Sequence, residues 1–469
     1  MITSKLAAVV AANRFGLGAR SGELAAIGDD PRGWLLAQVE GPRTPAAVIA
    51  QLQSSQDAFK VYANFIEEKR ELKKEETTKA DAKVELSPAR KAIRETYLSQ
   101  VAARYEVATH SEESFRERLV HFWTNHFAVS ADKFIVSTLA GTMENEAIRP
   151  NLHRHFYDLL VAADSHPAMI LFLDNQASVG AYSQIAQAAR RRGRTEHKFD
   201  INENLAREIL ELHTLGVNGG YTQHDVTNFA QVLTGWSVGG GKGFLNSGDP
   251  GKFVFREMLH EPEAQTILGK RYAEDSVQQP LAVFKDLSRH PSTAHFIATK
   301  LVRHFVADDP PTAAVERVAK AFRDSDGHLP TVHRAVVNCA EAWTLVAPKF
   351  KTPHEFVVST FRAFGTLPPQ PQKVFGSFEL LGQRPYTPGS PAGWLDTASQ
   401  WDGADALMKR IEWATQVAHR AGSRFVPIDM AENTLGDALT EHTQQAIINA
   451  ADAEQGITLW LASPEFQRR

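Results

Sequence analysis

The chain has 469 residues, which at ~100–200 residues per domain is two to four ordinary domains or one large lobed unit and excludes a single short module. With 43% apolar and 23% charged residues it has the composition of a globular protein, excluding global disorder and a collagen-like repeat. Fifty-one basic against 55 acidic residues leave a formal net charge of -4, which argues against a chain-wide basic surface for nucleic acid, and Cys339 as the lone cysteine excludes an intrachain disulfide, a thiolate zinc site or an iron-sulfur cluster built from this chain alone.

From the N-terminus, Lys5 followed by LAAVVAA (Leu6 to Ala12) faintly imitates a signal peptide, but it runs into Asn13, Arg14 and a Gly16-Leu17-Gly18 turn and reads better as a first helix with a glycine stop. With no convincing export signal, the expected compartment is cytoplasmic. No apolar run reaches the ~18 residues of a membrane span, so none is expected. Residues 48–70 carry apolar side chains at helical spacing and pass into a mixed-sign run, so 67–87 is expected to be a charged connector. Pro88 opens a helix with Ile93, Tyr97, Val101 and Tyr105 on one face, and the next, 112–126, carries Phe115, Leu119, Phe122 and Trp123. Further helices are expected over 151–163, 167–173, 202–215 and 222–236, the last opened by a capping-box-like Thr222 and Asp225.

Residues 237–251 form a glycine-rich loop that lacks the lysine and hydroxyl ending of a phosphate-cradling loop. Two short apolar runs, Phe253 to Phe255 and Thr266 to Leu268, are expected to pair as a small β-hairpin. Helices resume over 279–287, 291–305, 312–323 and 331–344. Proline then concentrates at 366–372 and again through 381–401, which predicts an irregular ordered loop, followed by helices over 404–420, 434–451 and a last one ending near Phe466. The expected class is mainly α: a large multi-helix unit, residues 1–469, with a small β-hairpin and a Pro/Gly-rich C-terminal loop.

The 18 histidines mean that any metal site must use imidazole, carboxylate or carbonyl ligands. The segment from Asn202 to Val226 is the most informative. At ~100° per residue, with Asn204 at 0°, Glu208 falls at about +40°, Glu211 at about -20° and Arg207 at about -60°, beside an apolar flank of Leu205, Ile209 and Leu212. His213 lies near the opposite side. Spacing alone favours a solvated face with an Arg207 and Glu211 pair. The functional reading is a buried polar ridge in which Asn204, Glu208 and Glu211 hold a hard cation, Mg²⁺ or Ca²⁺, or serve as acid and base. HExxH spacing is missing, which disfavours a zinc peptidase. In HFWTNHF, His121 and His126 diverge by about 140° and cannot share one ion, whereas Asn125 and His126 at the helix end can face a pocket. Asp174-Asn175 and His260-Glu261 are further polar candidates. No Gly-x-Ser-x-Gly elbow occurs, and Cys339 sits in an apolar helix, so serine and cysteine nucleophiles are unsupported.

Six blocks, RFGLGA (14–19), FWTNHFAV (122–129), HPAMILFLDN (166–175), the 202–226 segment, LTGW (233–236) and LGQRPYTPGSPAGW (381–394), resemble in order and spacing a bacterial family catalogued as domain-of-unknown-function family 1800. The resemblance covers about residues 10–465 and implies one family-wide, mostly helical unit with no assigned reaction. Its motif positions correspond to Asn202, Glu203, Asn204, Arg207, Glu208, Glu211, Asn125, His126, Asp174, Asn175 and Trp236. It also implies frequent periplasmic export and a sulfatase-like partner protein.

The expectation is therefore a hydrolase-type enzyme: Glu208, Glu211 and His126 catalytic; Asn125, Asn175, Arg207, Trp236 and Trp394 contacting a small-molecule or polymer substrate; Asp174, Asn204 and Glu208 around a divalent cation. The competing expectation is a binding or accessory protein whose polar ridge is a buried network and whose Trp394 and Trp401 loop meets a partner. A haem protein is weaker, without a Cys-x-x-Cys-His motif.

Overall fold

A computed structural model describes residues 3–75, 87–193, 200–240, 247–344, 349–366 and 370–469. Residues 76–86 of the expected connector, 241–246 of the glycine-rich loop and 367–369 of the first proline stretch lie outside the described residues. The fold is mainly α, with two two-stranded antiparallel sheets among the described residues. One continuous apolar cluster runs from Ala8 to Phe466 and gathers helices from both ends of the chain. No helix among the described residues is long and apolar enough to cross a membrane.

Most helices begin where local chemistry starts them. Ser87 Oγ accepts from Arg90 N ahead of Pro88–His110, and Pro88 occupies a first-turn position whose missing N–H costs nothing. The His290 ring accepts from Ser292 N at the head of Pro291–Phe305. Gln223–Val232 has the expected capping box, Thr222 and Asp225 each taking the other's backbone N–H. The first helix, Ser4–Val10, continues as a π-helical turn, Ala11–Phe15, before Gly16, and Ala8 to Phe15 are buried.

Several boundaries differ from expectation. The 48–70 periodicity belongs to two helices, Ala47–Ala50 and Ser55–Glu75, because Ser54 Oγ caps Asp57 N and restarts the chain. The 434–451 stretch is split at Gly436, which ends Pro427–Leu435 and precedes Glu441–Ile448. The β pairing also differs. Trp236–Val238 pairs with Phe253–Phe255 across the glycine-rich segment, and Gln265–Ile267 pairs with Lys270–Tyr272 around a tight Leu268-Gly269 turn, both residues at positive φ. The two apolar runs thus lie in different sheets, each completed by a strand that hydrophobicity alone did not mark.

Four helices surround the main polar cleft: Pro88–His110, Ser114–His126, Pro291–Phe305 and Pro353–Phe364. Buried arginines tie them together. Arg362 donates to Gly18 O, to the carbonyls of Ala108, Thr109 and Ser111, and to both oxygens of Glu23 at 2.9 and 3.0 Å. Arg118 donates to Gly16 O and pairs with Glu355, whose other oxygen caps Thr352 N.

Candidate active site

A cavity of about 370 Å³ opens between these helices and the 383–397 part of the proline-rich loop. Its floor is set by one face of Pro291–Phe305. Lys300, Arg303 and His304 are spaced i, i+3 and i+4 along that helix, so they project side by side, and all three line the cavity. Five cationic side chains line it, Arg104, Arg118, Lys300, Arg303 and Arg384, against three carboxylates, Asp308, Glu355 and Asp396. Arg104 is neutralised by Glu144, Arg118 by Glu355 and Arg384 by Asp132. Among the described residues Lys300 and Arg303 have no carboxylate within ion-pair distance; Arg303 Nε reaches only the Asp308 carbonyl, at 3.3 Å. Lys300 Nζ lies over the Phe296 ring, 5.6 Å from its centroid, and burial together with the Arg303 charge pulls its pKa down to about 8.

His304 is oriented from behind. Its Nδ1 contacts Asp396 Oδ2 at 2.5 Å, and its Nε2, shielded from bulk solvent, has no hydrogen-bond partner among the described residues. Burial depresses the imidazole pKa, and Asp396 only partly opposes this, so the ring is neutral at neutral pH. Burial pushes the Asp396 carboxyl up, but His304, Lys349 and Arg469 outweigh it and hold the group below the usual carboxylate range. A carboxylate on Nδ1 fixes the tautomer that leaves Nε2 as acceptor, the arrangement of a general base.

On the opposite wall, Tyr105 Oη meets His354 Nδ1 at 2.8 Å, and His354 Nε2 meets His121 Nδ1 at 2.9 Å. His121 Nε2 lies 3.3 Å from Glu117. Burial holds both imidazoles well below their ordinary range, so the row is a neutral hydrogen-bonded chain. Glu117, His121 and Glu144 place ligand atoms within 4.8 Å of one another, a donor set compatible with a metal ion. Both carboxylates are already met by cations: Arg149 donates to Glu117 at 2.6 Å through each terminal nitrogen and reaches Glu144 at 3.1 Å, and Arg104 pairs with Glu144. An entering cation has to displace a guanidinium.

The proline-rich loop closes the cavity and is pinned by two reciprocal bonds. Asn125 Nδ2 donates to Trp394 O at 2.9 Å, and Trp394 N donates to Asn125 Oδ1 at 2.7 Å. Gly393 makes this approach possible: it sits at φ 82°, and a Cβ there would lie 2.3 Å from Asn125 O. Trp394 is half-buried on the cavity and tilts against buried Trp401, centroids 5.9 Å apart.

The residues singled out from sequence fall into three groups. Asn125, His126 and Trp394 line the cavity; His126 Nε2 faces His213 O at 3.1 Å and its buried Nδ1 is unpartnered. Asn175 and Trp236 are core. Asn175 Nδ2 donates to Leu233 O and Trp236 O, and the Trp236 ring stacks on Phe284 at 5.4 Å. Asp174, Asn204, Arg207, Glu208 and Glu211 do not line this cavity. Asp174 is exposed and paired with Lys133 at 2.7 Å, and Asn204 is exposed. Arg207 lies between Glu203 at 2.9 Å and Glu211 at 3.7 Å. Glu208 is half-buried; burial raises its pKa, with the Glu211 charge adding to the rise and His213 opposing it. The regular helix stops at Glu208, and Ile209–Thr214 is a π-helical turn, which ends the constant angle per residue on which the stripe was drawn. His213 is fully buried with Nδ1 2.9 Å from Asp164. His260 packs with Nδ1 2.9 Å from Thr234 O, and Glu261 accepts from Tyr182 N.

Sequence reasoning missed Lys300, Arg303, His304, His354 and Asp396. The i, i+3, i+4 run of three basic side chains in 291–305 was visible. That no carboxylate among the described residues pairs with Lys300 or Arg303, while Asp396 pairs with His304, was not, because it depends on neighbours far along the chain.

A family model described as Protein of unknown function (DUF1800) matches residues 10–468. No curated protein and no solved structure matches the chain.

Proposed function

The chain belongs to the DUF1800 family, and since that description carries no reaction, we propose from the cleft alone that it is a hydrolase-type enzyme acting on a compact anionic substrate, a phosphate or sulfate ester. The observation that carries this reading is the Lys300, Arg303 and His304 face: two cations without carboxylate partners among the described residues, beside an imidazole whose Nε2 has no partner among them and whose Nδ1 is held by Asp396. A buried, unsatisfied imidazole nitrogen costs about 1–3 kcal/mol, a cost a binding site recovers when ligand or water supplies the partner. Lys300 and Arg303 grip the anionic group, His304 Nε2 takes a proton from the attacking water as its oxygen bonds to phosphorus or sulfur and the bond to the ester oxygen breaks, Asp396 stabilises the imidazolium, and the imidazolium returns the proton to the departing alkoxide. Trp394 forms an apolar wall for the remainder of the substrate.

The test pairs binding with turnover. Phosphate or sulfate titrated against Trp394 fluorescence should bind about tenfold more weakly to Lys300→Ala, and His304→Asn should lower hydrolysis of 4-nitrophenyl phosphate or sulfate, whichever the protein turns over, by about 100-fold or more with an unchanged melting temperature. Unaltered anion affinity in Lys300→Ala would sink the proposal.

A second reading rests on Glu208. Its raised pKa beside Glu211 suits a proton-sharing pair or a hard-cation site, Mg²⁺ or Ca²⁺, with Asp174 and Asn204 as further oxygen donors. Under this reading Glu208→Gln abolishes turnover and metal binding, while Lys300→Ala leaves both intact.

A further inference from the structure

The charge left over in the cleft can be followed one carboxylate at a time. Of the three acids on its lining, Glu355 is met by Arg118 and by Arg469 Nε at 2.9 Å, and Asp308 by Lys349. Asp396 is met by His304, by Lys349 at 3.4 Å and by Arg469 at 3.5 Å. Two further arginines of the lining are paired with acids behind it, Arg104 with Glu144 and Arg384 with Asp132. Arg149, which also reaches Glu144, is held through both terminal nitrogens by Glu117. Neither the imidazoles nor the buried phenols add charge at neutral pH: burial holds His121, His126, His304 and His354 below their ordinary range and lifts Tyr105 and Tyr386 above theirs. What remains among the described residues is Lys300 and Arg303, two positive charges side by side on one face of Pro291–Phe305, with every acid of the lining already engaged.

A surplus of two positive charges in a half-buried cleft selects among anions by charge as well as by shape. A sulfate monoester or a phosphate diester carries a single negative charge at neutral pH and leaves one cation unanswered. A phosphate monoester, whose second ionisation lies near pH ~6, carries close to two. The attraction grows with the product of the charges and is least screened away from bulk water. Resting on the reading of the cleft as an anion site, we propose that its substrate is a phosphate monoester in the dianionic form, and that sulfate monoesters and phosphodiesters are discriminated against by their lower charge.

The test compares three ligands that share one ring: phenyl phosphate, phenyl sulfate and methyl phenyl phosphate, the first a dianion at pH 7 and the others monoanions. Isothermal titrations at pH 7 and low salt use the full-length chain carrying His304→Asn, so that hydrolysis does not consume the ligands. The ranking is repeated on the parent protein by stopped-flow fluorescence ahead of turnover. Phenyl phosphate should bind at least about fivefold more tightly than either monoanion. Adding Lys300→Ala, or in a separate protein Arg303→Gln, removes one of the two charges and should shrink that preference. A preference below fivefold overturns the dianion assignment, as does one undiminished in both charge-removing variants. If the three ligands bind alike and Lys300→Ala weakens all of them, the anion site stands and only the dianion assignment falls; if none of them binds, both fall.

Discussion

Lys300 is held at a pKa of about 8 by burial and by Arg303, so much of its charge is lost just above neutral pH. Phosphate or sulfate affinity at the cleft should therefore fall as pH rises through about 8. Lys300→Arg, whose charge does not titrate in this range, should retain affinity at pH 9, whereas Lys300→Ala should be weak at every pH. Anion titrations at pH 7 and pH 9 check this, and a pH dependence that persists in Lys300→Arg would assign it to another group. Lys351 poses a separate question of stability. It is 1% exposed, donates to Ser359 Oγ and lies over the Phe466 ring at 4.1 Å; burial lowers its pKa to about 7. Between about pH 7 and its ordinary value of 10.5 the unfolded chain binds more protons than the folded one. Stability therefore rises with pH across that window, by at most ~1.4 kcal/mol per unit. Lys351→Met should flatten this slope and favour the variant at pH 6 relative to pH 10 in denaturant unfolding; identical slopes in the two proteins would count against it.

At the level of elements, buried arginines bridge the segments packed around the cleft. Arg362 joins the turn at Gly18, the end of Pro88–His110 and Glu23 of the short helix Glu23–Ile27. Removing one member of a buried pair strands the other charge, so Arg362→Ala should cost about 3–5 kcal/mol in denaturant unfolding. Arg362→Met should cost less only if Glu23→Gln accompanies it. The loop that roofs the cleft is a different kind of element, with no regular backbone pairing and its position set by Asn125. Gly393→Ala forces a side chain into that contact at a positive φ. The strain, ~1–3 kcal/mol, should appear chiefly as loss of anion affinity through displacement of Trp394, with a melting temperature only slightly lowered. The π-helical turn at Ile209–Thr214 shows why element-level arithmetic from sequence has a limited range. Angular positions hold up to Glu208, and then the i to i+5 bonding pattern rotates the side chains beyond it, leaving His213 facing Asp164 in the core.

Across the whole molecule, the net charge of -4 conceals a cleft of opposite sign. Anion association should accordingly be fastest at low ionic strength and slow as the Debye length contracts toward ~8 Å at physiological salt, a trend that stopped-flow fluorescence can follow. The helical class, the starts of helices at Pro88, Pro291 and Thr222, the apolar faces and the irregular 381–401 loop were legible in the chain, because each is written in nearby residues: caps, prolines and the 3.6-residue period. Asn125, His126 and Trp394 were also legible as polar or aromatic groups at helix and loop ends, where side chains can face a cavity. The β pairing was not, since strands of three residues carry too little pattern to name a partner. Nor was the constellation of Lys300, Arg303, His304 and Asp396. Asp396 reaches His304 from 92 residues away, and the acids that neutralise Arg104, Arg118 and Arg384 come from 40, 237 and 252 residues away. By itself the sequence determined the local order of helices, the apolar faces available to a core and the inventory of ionisable groups. Only the tertiary structure decided which charges are cancelled and which are left over, because burial and pairing depend on through-space neighbours that no local pattern encodes.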